Sequence, residues 1–308
     1  MGRPVVDLKH LRTFLHVAEL GNFSRAAERL NIAQPALGRQ VRQLEAELGQ
    51  PLFHRHGRGV RLTEPGRRLV ARAEAILRQV DQARADVAQA EGAMGGQVVL
   101  GLPPTVDRAL SESLALAFHA AHPAVALRVV AGLSGNLEEW LRGGRLDLAV
   151  IYGPEAGRTL KTRPLVTEAL LLLGPPGSDL HADRPVPFAS LRDTPLVLPS
   201  RGHRLRMILD RAAARNAFDL TVPVEADSLQ LQIGLAARGL GLTILPRASV
   251  RDDLAAGRLA AAPLAGDGMT RELLLAQPID RPASRAAEVL ARFLMAAVRR
   301  GVAAGDWS

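Results

Sequence analysis

FSRAAERLNIAQPALGRQVRQLEAELG, residues 23–49, holds two helical patterns separated by a tight turn. Ser24 is expected to cap the first, whose buried side is Ala26, Ala27 and Leu30. The turn follows at residues 31–33. Pro35 suits the opening of the second helix, because a proline there gives up no N–H that the helix would have used. Leu37, Val41, Leu44 and Leu48 then define a buried stripe that Gly49 ends. At about 100° per residue, Pro35, Gly38, Arg39 and Arg42 fall opposite the stripe, and Gln34 stands at the helix start. Gln pairs with adenine edges and Arg with guanine or phosphate, so this face carries the chemistry of direct DNA readout. A solvated charged face on an ordinary helix is the competing interpretation of these residues alone.

The flanks add to the first interpretation. Upstream, Leu8, Leu11, Phe14, Leu15, Ala18 and Leu20 recur at helical spacing and stop at Gly21-Asn22. Downstream, Pro51-Leu52-Phe53 leads into a glycine-turned hairpin over residues 54–63, a basic wing carrying Arg55, Arg58 and Arg61. Charge is concentrated in the same region. The chain has 39 Lys/Arg and 31 Asp/Glu, net +8, and all but Lys9 and Lys161 of the basic residues are arginine. Residues 1–72 hold 13 of these cations against 6 anions, so +7 of the +8 lies there and the basic partner surface is N-terminal.

Phe23-Ser24-x-Ala26-Ala27-x-x-Leu30, Gln34-Pro35-Ala36-Leu37, Gln40, Leu44-Glu45 and Leu48-Gly49 resemble the LysR-type transcriptional regulators. So do Pro51-Leu52-Phe53-x-Arg55 and Leu62-Thr63-Glu64-x-Gly66, in the same register over some 60 residues. Gly38 departs from the pattern, since the family most often has serine there. The resemblance implies an all-helical winged helix-turn-helix domain over residues 1–65, with Ser24, Gln34, Pro35, Gly38, Arg39, Arg42, Arg55 and Arg58 toward DNA.

From Glu64 to about Glu91 no proline or glycine interrupts the chain after Gly66. Leu69, Ala73, Ile76, Val80, Ala83 and Val87 recur at spacings of 4 and 3, a stripe that suits pairing with another helix. Some 28 residues make a rod of about 42 Å. A helix packed on its own domain is the alternative. The resemblance implies a linker and dimerisation helix over 66–93, and a dimer would set two reading helices about one DNA turn apart.

Past residue 93, short apolar runs alternate with helical patterns, at 98–102, 127–131, 146–152, 169–173, 196–198, 222–226 and 242–245. Such runs suit strands buried on both faces, predicting a mainly parallel α/β domain. Leu141-x-x-Gly144-x-Leu146-Asp147-Leu148-Ala149-Val150 and the run Gly239–Pro246 resemble the effector domain of the same family. That implies a two-lobed, periplasmic-binding-protein-like effector domain over 94–308, with lobe one at 94–164 and 266–303 and lobe two at 165–265. Within the family, the run from Leu196 to Arg206 is most similar to the nitrogen assimilation control protein subgroup.

Ligands of open α/β sheets bind beyond the strand carboxyl ends, where helix N-termini favour negative charge. Thr105, Ser134, Ser200, Arg201, His203, Ser228 and Thr243 are the candidate effector-binding residues, with Arg201 or His203 as charge partners of an anionic ligand. Simple helix caps are the alternative for each of the hydroxyls.

The chain has no cysteine, which excludes disulfides, thiolate metal sites and cysteine nucleophiles. His119-x-x-His122 has metal-ligand spacing, but Pro123 ends the helix and no third ligand is near, so no metal is expected. Nucleophile-elbow, Walker and dinucleotide motifs are absent, and neither enzymatic activity nor a cofactor is expected. No signal peptide or membrane span is legible, which suggests a cytoplasmic protein. Its expected partners are double-stranded DNA, a small-molecule effector, further copies of itself as a dimer or a tetramer built as a dimer of dimers, and RNA polymerase. One reading from another class stays open: a ligand-binding or enzymatic α/β protein whose N-terminal module serves only oligomerisation.

Overall fold

The computed structural model describes residues 6–56, 59–88, 95–153 and 159–307. The chain divides into two compact units, residues 1–96 with 143–145, and residues 97–142 with 146–308.

In the first unit α1 (Leu8–Leu20) ends on Gly21, whose φ of +59° is a left-handed C-cap. Asn22, not Ser24, caps α2 (Phe23–Leu30): its side-chain oxygen accepts from the Ser24 and Arg25 N–H groups at 2.8 and 3.1 Å. Ser24 therefore lies in the first turn, because the helix starts two residues earlier than a Ser24 cap would place it. Asn31 then turns the chain at φ +51° into α3 (Gln34–Leu48), with Pro35 in its first turn. Leu37, Val41 and Leu44 of α3 pack with Leu11, Phe14, Val17, Ala26 and Ala27 in one core.

The N-terminal domain is not all-helical. β1 (Phe53–His56) and β2 (Gly59–Leu62) form an antiparallel hairpin, pairing Arg55 with Val60. Glu45 ties this hairpin to α3, its Oε1 accepting from the Leu52 and Phe53 N–H groups at 2.8 and 3.3 Å. Gly59 has to be glycine: its φ is +151°, and a Cβ there would stand 2.7 Å from the Gly21 carbonyl oxygen. That oxygen accepts from the Val60 N–H at 2.9 Å, which fixes the base of the wing against the α1–α2 turn. Arg58 lies outside the described residues, as does the side chain of Arg55.

α4 runs from Glu64 to Ala88, about 37 Å of helix, with residues 89–94 outside the described set. Its expected pairing stripe is split. Ala73 is fully buried in the helix-turn-helix core and so is not free to face a second helix, while Leu69 packs against that core but stays half-buried. Ile76 is 41% exposed, Val80 is half-buried, Ala83 is exposed, and the side chain of Val87 is outside the described residues.

The second unit is built on a mixed sheet, in the order β4 (Val125–Ala131), β3 (Gly96–Leu102), β5 (Leu148–Tyr152), β12 (Thr270–Pro278), β6 (Leu160–Gly174), β11 (Ala260–Ala265), β7 (Val186–Pro187). β3 and β5 are parallel, but β12 runs antiparallel to both β5 and β6, which corrects the expected mainly parallel sheet. β6 serves two lobes in turn. Through Ala169 it pairs with β12, and from Leu170 to Gly174 with β10 (Thr243–Pro246) and β11. Lobe one has its core at Val99, Leu137, Leu141, Leu146, Ala149 and Ile151, covered by α5 (Pro104–Ala121), α6 (Ser134–Arg142) and α10 (Arg285–Ala303). Lobe two packs Leu170–Leu173, Leu196, Leu198, Leu209 and Ile244 with α7 (Arg204–Arg215), α8 (Leu229–Ala237) and α9 (Arg251–Ala255). The short strands β8 (Val197–Leu198) and β9 (Val224–Glu225) pair in parallel beside it.

Candidate DNA-reading surface and effector pocket

On α3, Gln34, Pro35, Arg39 and Arg42 are exposed, as is Ser24 on α2. Gly38 is not: it is buried, although the helical angle places it on the same outward face. Gln40 turns inward, accepting at 2.6 Å from the buried Thr13 hydroxyl of α1, a bond that fixes the rotation of α3 about its own axis. Arg61 stands exposed on β2. Two donor-rich elements, the outer face of α3 and the wing, thus sit on one small core, which is the arrangement that reads a groove and its flanking phosphates.

In the second unit, a cavity of about 200 Å³ opens between the lobes. Its wall takes Pro103 and Pro104 from the start of α5, Ser134 and Gly135 from the start of α6, and Gly202, His203 and Arg204 from the start of α7. Tyr152, at the end of β5, forms the floor. Behind it lies a space of about 20 Å³, the size of one water, reached by Thr105, Gln232, Leu245 and Arg271.

A buried polar network supports this floor. Glu168 of β6 and Arg271 of β12 face each other directly across the two strands and form an ion pair, both side chains 2% exposed. Arg271 also donates to the Thr105 hydroxyl at 2.9 Å, and its guanidinium carbon sits 4.1 Å from the centre of the Tyr152 ring. The Thr105 and Tyr152 hydroxyls are 2.5 Å apart. Burial pushes the Glu168 carboxyl upward against the pull of Arg271, and burial raises the Tyr152 phenol, which stays protonated.

His203 caps α7, its Nδ1 accepting from the Leu205 N–H at 3.1 Å. Nδ1 as acceptor leaves the proton on Nε2, so the neutral ring is a donor there. Burial first, and the charge of Arg271 second, lower its pKa to about 4 against the opposing pull of Asp227. Asp227 is itself held low by the Ser200 N–H, at 2.9 Å, and by the Ser200 hydroxyl. Arg204 reaches from lobe two to Glu138 of lobe one and to the Gly153 carbonyl, each at 3.4 Å.

The expected effector residues divide accordingly. Ser134 and His203 line the cavity, and Thr105 lines the small space behind its floor. Ser200, Arg201, Ser228 and Thr243 are not among its lining residues. Ser200 serves Asp227, Ser228 caps α8 through the Leu231 N–H, Arg201 is exposed, and Thr243 is wholly buried with its hydroxyl donating to the Val197 carbonyl at 2.8 Å. The expected charge partners change too: Arg201 is off the wall and His203 is neutral at pH 7, which leaves Arg204 as the cation on the wall. Tyr152, Glu168, Arg271 and Arg204 escaped the sequence reading. One signal pointed to the first: it is the sole tyrosine of the chain, and it ends an apolar strand.

A winged helix-turn-helix joined to a two-lobed α/β unit with a polar interlobe cavity is the build of a ligand-responsive DNA-binding regulator. Two family models match the chain: the bacterial regulatory helix-turn-helix protein of the lysR family over residues 8–67, and the LysR substrate binding domain over residues 91–299. The chain belongs to the LysR family of transcriptional regulators, a non-enzymatic family that binds DNA and carries an effector-binding domain. The HTH-type transcriptional regulator BbuR of Bordetella bronchiseptica is 32% identical over 302 residues, 98% of this chain and 93% of its own. The nitrogen assimilation regulatory protein nac of Escherichia coli is 33% identical over 252 residues, 80% of each. Full-length OxyR from Pseudomonas aeruginosa, solved with a cysteine-to-aspartate replacement, shares 30% identity with a TM-score of 0.72, covering 94% of this chain and 98% of that one.

Proposed function

We propose that this regulator acts in the cytoplasm as a homodimer or a pair of dimers, with residues 1–65 on DNA, α4 as the pairing helix, and 94–308 holding the effector. In this reading Gln34, Arg39 and Arg42 face base edges, while Ser24, Arg61 and the wing arginines face phosphates. The effector is a small acid. The carrying observation is the composition of the interlobe cavity: the first turns of α6 and α7, the Ser134 hydroxyl, the His203 Nε2–H and the Arg204 guanidinium offer donors to about 200 Å³ of space, while α5 contributes the apolar Pro103 and Pro104. Arg271 is matched by Glu168 behind the floor, and Arg204 is paired with Glu138 at 3.4 Å, so an acid in the cavity shares the Arg204 guanidinium with that carboxylate. With no cysteine in the chain, reversible thiol oxidation is not the signal. Effector binding biases the lobe geometry and through it the DNA-bound assembly and its contact with RNA polymerase.

A thermal-shift screen of small carboxylic acids against the full chain tests the sensing half. A binder at 100 times its Kd stabilises by about 2.7 kcal/mol, and Arg204→Ala should abolish the shift. If neutral isosteres shift the melting point as much as the acids do, the effector is not anionic. For the DNA half, a randomised duplex library is selected on the protein. Recovery of no preferred sequence would refute sequence-specific reading by α3.

A further inference from the structure

Gly38 is the one position on the outward face of α3 that is covered, and the nearest atom to a Cβ built there is an Arg42 guanidinium nitrogen at 3.6 Å. Helical side chains run back over the residue one turn earlier, so Arg42 lies over position 38. Glycine is unfavourable inside a helix, and the backbone does not ask for it here, since Gly38 is absent from the residues of positive φ. Nor does packing require it, because no backbone atom from beyond its own turns of helix lies within 4 Å of the missing Cβ, and a single methyl would meet Arg42 at ordinary van der Waals distance. What glycine provides is space, and the group using that space is a guanidinium that can hold two hydrogen bonds to a guanine edge.

We infer that Gly38 is a specificity-determining residue: it leaves open the seat over which Arg42 folds back along the first turn of α3, setting which base Arg42 meets. The inference rests on α3 being the helix that enters the groove. Its neighbours agree with the geometry. Ala33 and Pro35 keep the same surface low, Gln40 is turned inward to Thr13, and Gln34 and Arg39 flank the seat without filling it. A side chain longer than one carbon at 38 has to share the space with the guanidinium or push it outward.

The test is selection of bound duplexes from a randomised library by the full chain as wild type, Gly38→Gln, Gly38→Ser, Arg42→Ala, Arg39→Ala and Gln34→Ala, each first checked for native helicity and melting. The expected result is one base position whose preference falls roughly tenfold or more in Arg42→Ala and falls at the same position in Gly38→Gln. Gly38→Ser should alter that position and no other, while Arg39→Ala alters a different one. If Arg42→Ala removes a preference that both Gly38 variants keep, the seat is irrelevant and the inference fails with the α3 reading intact. If none of Gln34, Arg39 and Arg42 moves any preference, the reading of DNA by α3 falls and the inference with it.

Discussion

Glu168 and Arg271 are opposite neighbours on β6 and β12, and each is the other's reason for being ionised inside the protein. Glu168→Gln keeps an acceptor for Arg271 but removes its counter-charge, leaving a buried cation among neutral groups, so a loss of about 3–5 kcal/mol is expected, read as a lowered melting point of the effector unit. Replacing both residues by leucine and methionine should recover much of it, because the cost lies in leaving one charge unmatched. An unchanged melting point for Glu168→Gln would mean that Arg271 finds a second anion. His203 makes a prediction of opposite character. Its folded pKa, about 4, lies below the usual 6.5, so between those values the unfolded chain takes up a proton that the folded chain refuses. Stability therefore declines as pH falls from about 6.5 to 4, by on the order of 1–3 kcal/mol, and levels off below. His203→Asn keeps a capping oxygen for the Leu205 N–H and removes the titration, so urea unfolding across that range should show a shallower decline than wild type. Identical pH profiles would place the acid sensitivity elsewhere.

At the scale of elements, α4 belongs to two structures at once. Its first half is a wall of the helix-turn-helix core, through Leu69, Ala73 and Leu77, while Ile76 and Ala83 look outward. A heptad stripe records only that a face is apolar, and this one divides between an intramolecular core and an open surface. If the exposed part is the pairing seam, Ile76→Glu places a carboxylate in it at a small cost to the monomer's own packing, since Ile76 is 41% exposed. Sedimentation should then show dissociation to monomers with helical content unchanged. Retention of the wild-type mass would move the interface off this face. The same division explains how much the sequence revealed. The helices of the DNA-binding unit were legible because a helix writes its buried side into residues three and four apart, whereas the cap of α2 fell on Asn22 and not on the expected Ser24. β12 and the first half of β6 were not, because Lys161, Arg163, Glu168, Arg271 and Glu272 interrupt the apolar runs that marked the other strands. The pocket floor was illegible for a related reason. Thr105, Tyr152, Glu168 and Arg271 are brought together by a strand pairing that joins positions 103 apart, and a hydrogen bond that joins positions 166 apart, so no local spacing announces them.

Across the whole molecule, charge separates the two tasks: residues 1–72 carry +7 and the remaining chain carries +1. A polyanion therefore sees one end of the sequence, while the sensing unit is close to neutral and buries its strongest ion pair out of solvent. That distribution predicts how affinity responds to salt. Each phosphate neutralised releases counterions, and log K falls with log salt at about 0.9 per contact. A dimer making roughly six to ten such contacts loses about 10³–10⁵ in affinity between 50 and 200 mM salt. The wing and the reading helix should separate within that response. Arg61→Ala, from the exposed face of β2, is expected to reduce the slope by about one per protomer and to weaken binding to every duplex alike, as loss of a phosphate contact does. Arg42→Ala should do the reverse, changing which duplexes are preferred while leaving the slope nearly intact, because a base contact releases few counterions. Titrations of each variant with its selected duplex and an unrelated one, at four or more salt concentrations, supply both numbers. Slopes that respond equally to the two substitutions would mean that α3 lies along the phosphates and not in the groove, and a slope near zero for wild type would remove the basic N-terminal unit from DNA altogether.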